Sequence, residues 1–157
     1  MSLAIVYTRA ALGIEAPLIT VEVHLSNGLP GLTMVGLPET TVKEARDRVR
    51  SALINSGYAF PAKKITINLA PADLPKEGGR YDLPIALALL VASEQLNTTR
   101  LNQYEFVGEL ALTGGLRGVP GAIPSAMEAI KAGRRIVVSS DNAAEVGLIG
   151  GSDRLVA

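Results

Sequence analysis

The sequence contains no cysteine and no tryptophan, and aromatic residues make up only 4% of its 157 residues. Without cysteine it has no disulfide framework, no thiolate metal site and no cysteine nucleophile. Its single histidine, His24, falls on the polar phase of an alternating segment. This position predicts an exposed side chain and not a catalytic base. The acidic residues are scattered, so the sequence predicts no metal site.

Long apolar runs are also missing, since none reaches the roughly 18 residues that a membrane span needs. The first residues lack the basic segment that precedes the core of a signal peptide. We therefore expect a cytoplasmic protein that does not enter a membrane. The hydrophobic fraction of 48% and the charged fraction of 19% argue against disorder. The length predicts a single domain over residues 1–157.

Charge of one sign is not in excess, because fifteen Lys and Arg balance fifteen Asp and Glu. Residues 43–80, however, hold eight basic and four acidic side chains. Lys43, Arg46 and Arg50 share one exposed stripe of a helix predicted over residues 38–56. Such a surplus marks an anion-facing side or simply a solvated charged helix, and the sequence leaves both interpretations open.

Hydrophobic periodicity predicts an alternation of hairpins and helical crossovers. Strands are expected at 3–11, 18–25, 32–36, 63–69, 106–112, 116–119 and 136–138, and helices at 38–56, 83–93, 123–132 and 142–146. Because strands and helices do not alternate throughout, this order favours an α+β two-layer domain over a doubly wound nucleotide fold.

Nucleotide-binding motifs are absent from the chain. The phosphate loop G-x-x-x-x-G-K-[ST] requires a Gly-Lys pair, which does not occur, and G-x-G-x-x-G does not occur either. We therefore expect no cofactor in this chain.

The longest loop signal covers residues 70–81 and ends at a nearly charge-free helix. Lys76, Gly78, Gly79 and Arg80 are candidates to hold an anion at the start of that helix. Asp82 is interpreted as a structural cap of the same helix, because its carboxylate can accept hydrogen bonds from the first-turn amides. A capped helix end has less to offer an anion.

The segment from Leu69 to Ala86, which includes Leu-Pro-Lys-Glu-Gly-Gly-Arg-Tyr-Asp-Leu-Pro, closely resembles a signature of the ComM/YifB family of magnesium-chelatase-like bacterial proteins. Gly31 to Pro38, and Phe106 to Leu112 with Gly115-Leu116-Arg117, look like the same amino-terminal domain. The resemblance covers nearly the whole chain. It implies a two-layer α+β fold similar to the Lon protease domain, the RadA carboxy-terminal domain and a ribosomal-protein domain.

Because Lon is a Ser-Lys peptidase, the resemblance raises the question of whether this chain has the serine and the lysine of that dyad. Lon carries Pro-Lys-Asp-Gly-Pro-Ser-Ala-Gly, and the resemblance places Asp82 at the serine and Ile123 at the lysine of the dyad. Neither side chain can do the chemistry, so this chain is expected not to be an enzyme. Ser125, in Pro124-Ser125-Ala126, mimics the serine tripeptide but opens the wrong helix. A peptidase with a rearranged dyad stays as an alternative.

Members of the family continue into an AAA+ ATPase module with Walker motifs, so the resemblance implies an isolated amino-terminal domain. ATP and magnesium are expected in the missing module. Full-length relatives resemble ring-forming, hexameric motors that move branched DNA in natural transformation and recombination. This domain would support ring assembly and contact DNA through Lys43, Arg46, Arg50 and Arg80. A small-anion-binding domain at residues 76–82 is a further alternative.

Overall fold

The computed structural model describes residues 2–148 and the backbone of residues 155–156. The strands are β1 (Leu3–Arg9), β2 (Leu18–Ser26), β3 (Gly31–Val35), β4 (Lys64–Ala70), β5 (Tyr104–Phe106), β6 (Glu109–Leu110), β7 (Leu116–Arg117), β8 (Arg135–Val137) and β9 (Leu155–Val156). The helices are α1 (Glu39–Asn55), α2 (Asp82–Ala92), α3 (Ala122–Lys131) and α4 (Ser140–Gly147), with a short 3-10 helix at Leu101–Gln103.

Seven of these strands form one mixed sheet in the order β3-β4-β2-β1-β5-β8-β9. β1 pairs antiparallel with β2, and β2 pairs antiparallel with β4. The remaining neighbours in the sheet are parallel, whereas β6 and β7 form a separate antiparallel hairpin. The expected α+β class is confirmed.

Alternation along the strands decides which face of the sheet is buried. Ile19, Val21 and Val23 of β2 are completely buried, and His24 on the opposite phase is exposed. Ile65, Ile67 and Leu69 of β4 are buried and belong to the same core cluster as the buried side chains of α2. A second, smaller core is formed in part by buried side chains of α3, α4 and β8. Within the described residues no helix is long and apolar enough to cross a membrane.

The prediction of one strand over 106–112 is wrong. The Gly108 amide donates to the Arg80 carbonyl at 3.1 Å, and the Leu83 amide donates to the Gly108 carbonyl at 3.1 Å. Gly108 therefore bonds to the segment leading into α2, and the chain leaves the large sheet between β5 and β6. A Cβ at residue 108 would lie 2.4 Å from Cδ1 of Leu116, so a larger residue here would require the Leu116 side chain to move.

Arg9, Glu105 and Arg134 form a charged cluster inside the fold, which no pattern in the sequence predicts. Glu105 is fully buried, and its carboxylate accepts from Arg9 at 2.7 Å and from Arg134 at 3.0 Å. The Arg134 guanidinium carbon also lies 4.1 Å from the ring centroid of Tyr7. Because two arginines satisfy one carboxylate, the buried charge is paired and stabilised.

Candidate functional site

The cationic stripe predicted on the first helix is exposed. Ala45, Val49 and Leu53 of α1 are buried, because residues three and four apart share one helix face. Lys43, Arg46 and Arg50 lie on the other side and are exposed. The sequence therefore placed these three cations correctly on one solvent-facing stripe.

Arg46 and Arg50 also line a groove of about 360 Å³ between α1, the start of β3 and residues 60–63. Lys63 is the third cation of this lining, and the lining contains no carboxylate. The Arg50 guanidinium carbon lies 5.2 Å from the ring centroid of Phe60, which holds that cation beside the groove. Lys63 belongs to the basic surplus of residues 43–80, but no pattern in the sequence distinguishes it as a site residue. We call Arg46, Arg50 and Lys63 the basic groove.

A second groove, of about 700 Å³, adjoins the first along α1 and is lined by Lys43 and Arg46. Its lining also includes Glu39 and the apolar side chains of Leu32 and Met34. The presence of Glu39 makes this second groove less cationic than the basic groove. Lys43 therefore adds a positive charge to the same face of α1, but it lies in a groove that also contains a carboxylate and apolar side chains.

The two loop cations turn inward and do not join the α1 stripe. Lys76 is only 3% exposed, and its ammonium donates to the carbonyls of Pro71 at 2.6 Å and Leu74 at 3.1 Å. Desolvation lowers the pKa of Lys76 against the opposing effect of Asp73. Arg80 is likewise 3% exposed. The structure thus separates the predicted cations into an exposed set on α1 and a buried set in the loop.

The two loop glycines have different roles. Gly78 has φ +73°, a conformation that favours glycine, and open space around it. A Cβ on Gly79 would lie 2.2 Å from Oε1 of Glu109, so the missing side chain admits the Glu109 carboxylate. A carboxylate at this point works against a general anion cradle of the kind predicted from sequence.

The interpretation of Asp82 as a helix cap is wrong. Tyr81 occupies the cap position, Asp82 is the first residue of α2, and no side chain caps this helix. The Asp82 carboxylate instead accepts from the Arg48 guanidinium at 2.6 and 3.2 Å and from the Leu110 amide at 3.1 Å. Burial raises the pKa of Asp82 to about 6, which outweighs the opposite effect of these donors. The partner Arg48 has its pKa raised chiefly by the same hydrogen bond.

The structure gives no support to a rearranged Ser-Lys dyad. Ser125 is fully buried, and its Oγ accepts from Nη2 of Arg80 at 2.7 Å. A guanidinium stays protonated and cannot act as the base for a serine. Among the described residues no lysine hydrogen-bonds a serine. Counted without a gap from the shared Pro-Lys pair, moreover, the serine of the Lon motif falls at Arg80 and not at Asp82.

The described residues also contain no cluster of side chains suited to binding a metal ion. No group of three or more histidine, aspartate or glutamate side chains lies close enough together there to hold an ion.

Comparison with known proteins gives the family. Residues 21–142 match the family described as subunit ChlI of Mg-chelatase. The chain is 83% identical over 149 residues to YifB of Salmonella typhimurium, which covers 95% of this chain and 29% of that protein. It is 78% identical to YifB of Escherichia coli K12 over 157 residues, which covers 100% of this chain and 31% of that protein.

A relative with a functional name lies further away. The chain is 64% identical over 149 residues to the competence protein ComM of Haemophilus influenzae, which covers 95% of this chain and 29% of that protein. The chain thus spans about 30% of the length of the curated relatives it matches.

Proposed function

The chain belongs to the ComM/YifB amino-terminal domain family, within the family described as subunit ChlI of Mg-chelatase, and we propose that it acts as a non-catalytic module that contacts DNA and supports ring assembly. The ring is that of an AAA+ ATPase of the cytoplasm, assembled as a hexamer. ATP and magnesium bind the remaining part of the full-length protein, which uses them to move branched DNA.

The basic groove is the observation that supports DNA contact. Three cations line it without a carboxylate, so phosphate oxygens entering the groove meet only positive charge. Lys43 extends this charge along α1 on the exposed side of the helix. Contacts between cations and phosphates release counterions from the nucleic acid, and this release drives binding that weakens with salt. Base stacking contributes little here, because the chain has few aromatic residues and Arg50 already covers the Phe60 ring.

The decisive experiment measures DNA affinity at several salt concentrations by fluorescence anisotropy. The groove variant is Arg46→Ala, Arg50→Ala and Lys63→Ala combined. A matched control removes three exposed cations elsewhere, by Arg117→Ala, Lys131→Ala and Arg135→Ala. Both triple variants change the net charge equally, so only the position of the lost charge differs.

We expect the groove variant to bind a single-stranded oligonucleotide at least about tenfold more weakly, with the salt slope reduced by about 2. The control variant should lose less than about twofold. Equal losses in the two variants, or no salt-sensitive binding by the parent chain, would contradict DNA contact through this groove.

Ring assembly needs its own measurement on the full-length protein. Sedimentation in the presence of ATP and magnesium should give a hexamer with residues 1–157 present and smaller species after their removal. A hexamer of undiminished stability in the truncated protein would remove the assembly half of the proposal. The DNA result is independent of this outcome.

A further inference from the structure

A glycine-rich cleft of about 550 Å³ lies on a different set of elements from the basic groove. Its walls are residues 11–13, the loop 77–80 and residues 118–120, with Glu109 at one side. Gly13, Gly78, Gly79 and Gly118 all belong to this lining. Because glycine carries no side chain, much of the cleft wall is bare backbone. The Gly118 amide already donates to Oδ2 of Asp141 at 3.3 Å.

Arg80 lines this cleft and joins three segments around it. Its Nε donates to the Arg9 carbonyl at 3.0 Å, Nη1 to the Pro120 carbonyl at 2.7 Å and Nη2 to Ser125 Oγ at 2.7 Å. A guanidinium has five N–H donors, so one donor on each Nη has no acceptor among the described residues. Arg80 belongs to the lining of the cleft, so an acceptor bound there lies beside this residue.

The charge of Arg80 sets it apart from the other arginines that the fold buries or half-buries. Arg9 and Arg134 pair with Glu105, and Arg48 pairs with Asp82. Arg80 is 3% exposed, yet all its hydrogen-bond acceptors are neutral. A buried charge without a counter-charge is unfavourable, and burial accordingly lowers the pKa of Arg80. The fold thus holds a cation at the cleft and does not supply its anion.

We infer that this cleft binds a small ligand with one oxyanion, a carboxylate or a phosphate group, that hydrogen-bonds the free donors of Arg80. Glu77 and Glu109 also line the cleft, and neither forms an ion pair with Arg80. These carboxylates repel a second negative charge and attract an amine. The ligand class is therefore a zwitterion, with one oxyanion for Arg80 and an amine for the acidic side.

Backbone amide shifts in NMR spectra of the 157-residue chain test this inference. The probes are glycylglycine as the zwitterion, acetate and inorganic phosphate as single oxyanions, and pyrophosphate as a polyanion. Saturable shifts are expected at Gly78, Gly79 and Gly118. Glycylglycine should bind at least threefold more tightly than acetate, and pyrophosphate most weakly. Acetate and phosphate together tell which oxyanion the Arg80 donors prefer.

Two variants separate the contributions of the charges. Arg80→Lys should weaken glycylglycine binding at least tenfold. Since Arg80 also joins three segments, Glu77→Gln at an exposed position provides the second variant and decides the matter if Arg80→Lys does not fold. Glu77→Gln should weaken glycylglycine binding at least threefold and strengthen acetate binding, which are changes of opposite sign.

Absence of saturable shifts with every probe at tens of millimolar would overturn the inference. Equal changes for acetate and glycylglycine in Glu77→Gln would overturn it as well. The basic-groove triple variant should leave glycylglycine binding unchanged while DNA binding falls. The two sites therefore fail independently.

Discussion

The Nε atom of Arg48 donates to Oδ2 of Asp82 at 2.6 Å, and this contact joins the middle of α1 to the first turn of α2. The Arg48 side chain is 21% exposed and that of Asp82 is 1% exposed. The same carboxylate accepts from the Leu110 amide, so the β6-β7 hairpin is attached at the same point. One buried carboxylate thereby positions the helix that carries Arg46 and Arg50 of the basic groove against the rest of the fold.

Arg48→Ala should destabilise the protein by about 2–4 kcal/mol, because it leaves the buried Asp82 carboxylate without its cation. Urea unfolding at pH 7 measures the loss. Arg46→Ala is the matched control on the same helix, since Arg46 is exposed and its contact with Asp47 is 3.8 Å long. The control should change the free energy of unfolding by less than about 0.5 kcal/mol. Similar losses in both variants would contradict a special role for the Arg48–Asp82 pair.

The raised pKa of Asp82 predicts a pH dependence of stability. Its ordinary value is 3.8, and in the folded protein it is about 6. Between these values the folded state binds the proton more strongly than the unfolded state does. Lowering the pH from 7 to 4.5 should therefore raise the Asp82 contribution to the free energy of unfolding, by roughly 2 kcal/mol.

Comparison of the parent chain with Asp82→Asn at both pH values isolates this contribution, because the other titrating groups are shared. The parent chain should gain stability relative to the variant as the pH falls. Identical pH profiles, or a relative loss, would show that the carboxyl does not titrate in this window.

Gly36→Ala should cost at least about 2 kcal/mol of stability, since residue 36 has φ +95° and a Cβ there would lie 2.3 Å from the Leu69 carbonyl oxygen. Gly36 forms the turn from β3 to α1, so the cost reports how firmly α1 is held. Gly31→Ala is the control, because a Cβ at residue 31 meets no atom within 4 Å. Thermal unfolding should separate the two variants, and a Gly36→Ala protein as stable as Gly31→Ala would refute the expected close approach.

Ser125→Ala should lower the free energy of unfolding by about 1–2 kcal/mol, because one Arg80 donor loses its acceptor. Neither the parent chain nor the variant should cleave an unfolded protein substrate over several hours. Gel electrophoresis of the substrate checks this. Cleavage by the parent chain that disappears in Ser125→Ala would instead establish a serine peptidase.

Periodicity predicted those elements that bury only one face. β2 and β4 alternate because every second side chain enters the core, and α1 repeats every three to four residues for the same reason. The exposed positions of Lys43, Arg46 and Arg50 follow from that phase alone. The predicted strand over 106–112 failed because its break at Gly108 depends on bonds to residues 80 and 83, which no local pattern contains.

The hydrogen bonds of several buried polar side chains depend on partners that are distant in sequence. Arg80 bonds to Arg9, 71 residues away, and Arg9 bonds to Glu105, 96 residues away. Lys76 is a candidate to hold an anion from its place in the loop, whereas two carbonyls of the same loop accept hydrogen bonds from its ammonium. The sequence predicts that the Asp82 carboxylate accepts hydrogen bonds from the first-turn amides. It accepts instead from Arg48, which lies 34 residues earlier in the sequence.

The amino-acid sequence by itself determined the α+β class, the cationic stripe of α1 and the family, because these depend on local periodicity and on long matching motifs. Only the tertiary structure decided which charges are available to a ligand. The availability of a charge depends on acceptors and counter-charges that distant segments supply, and folding brought a carboxylate to Arg48 but none to Arg80.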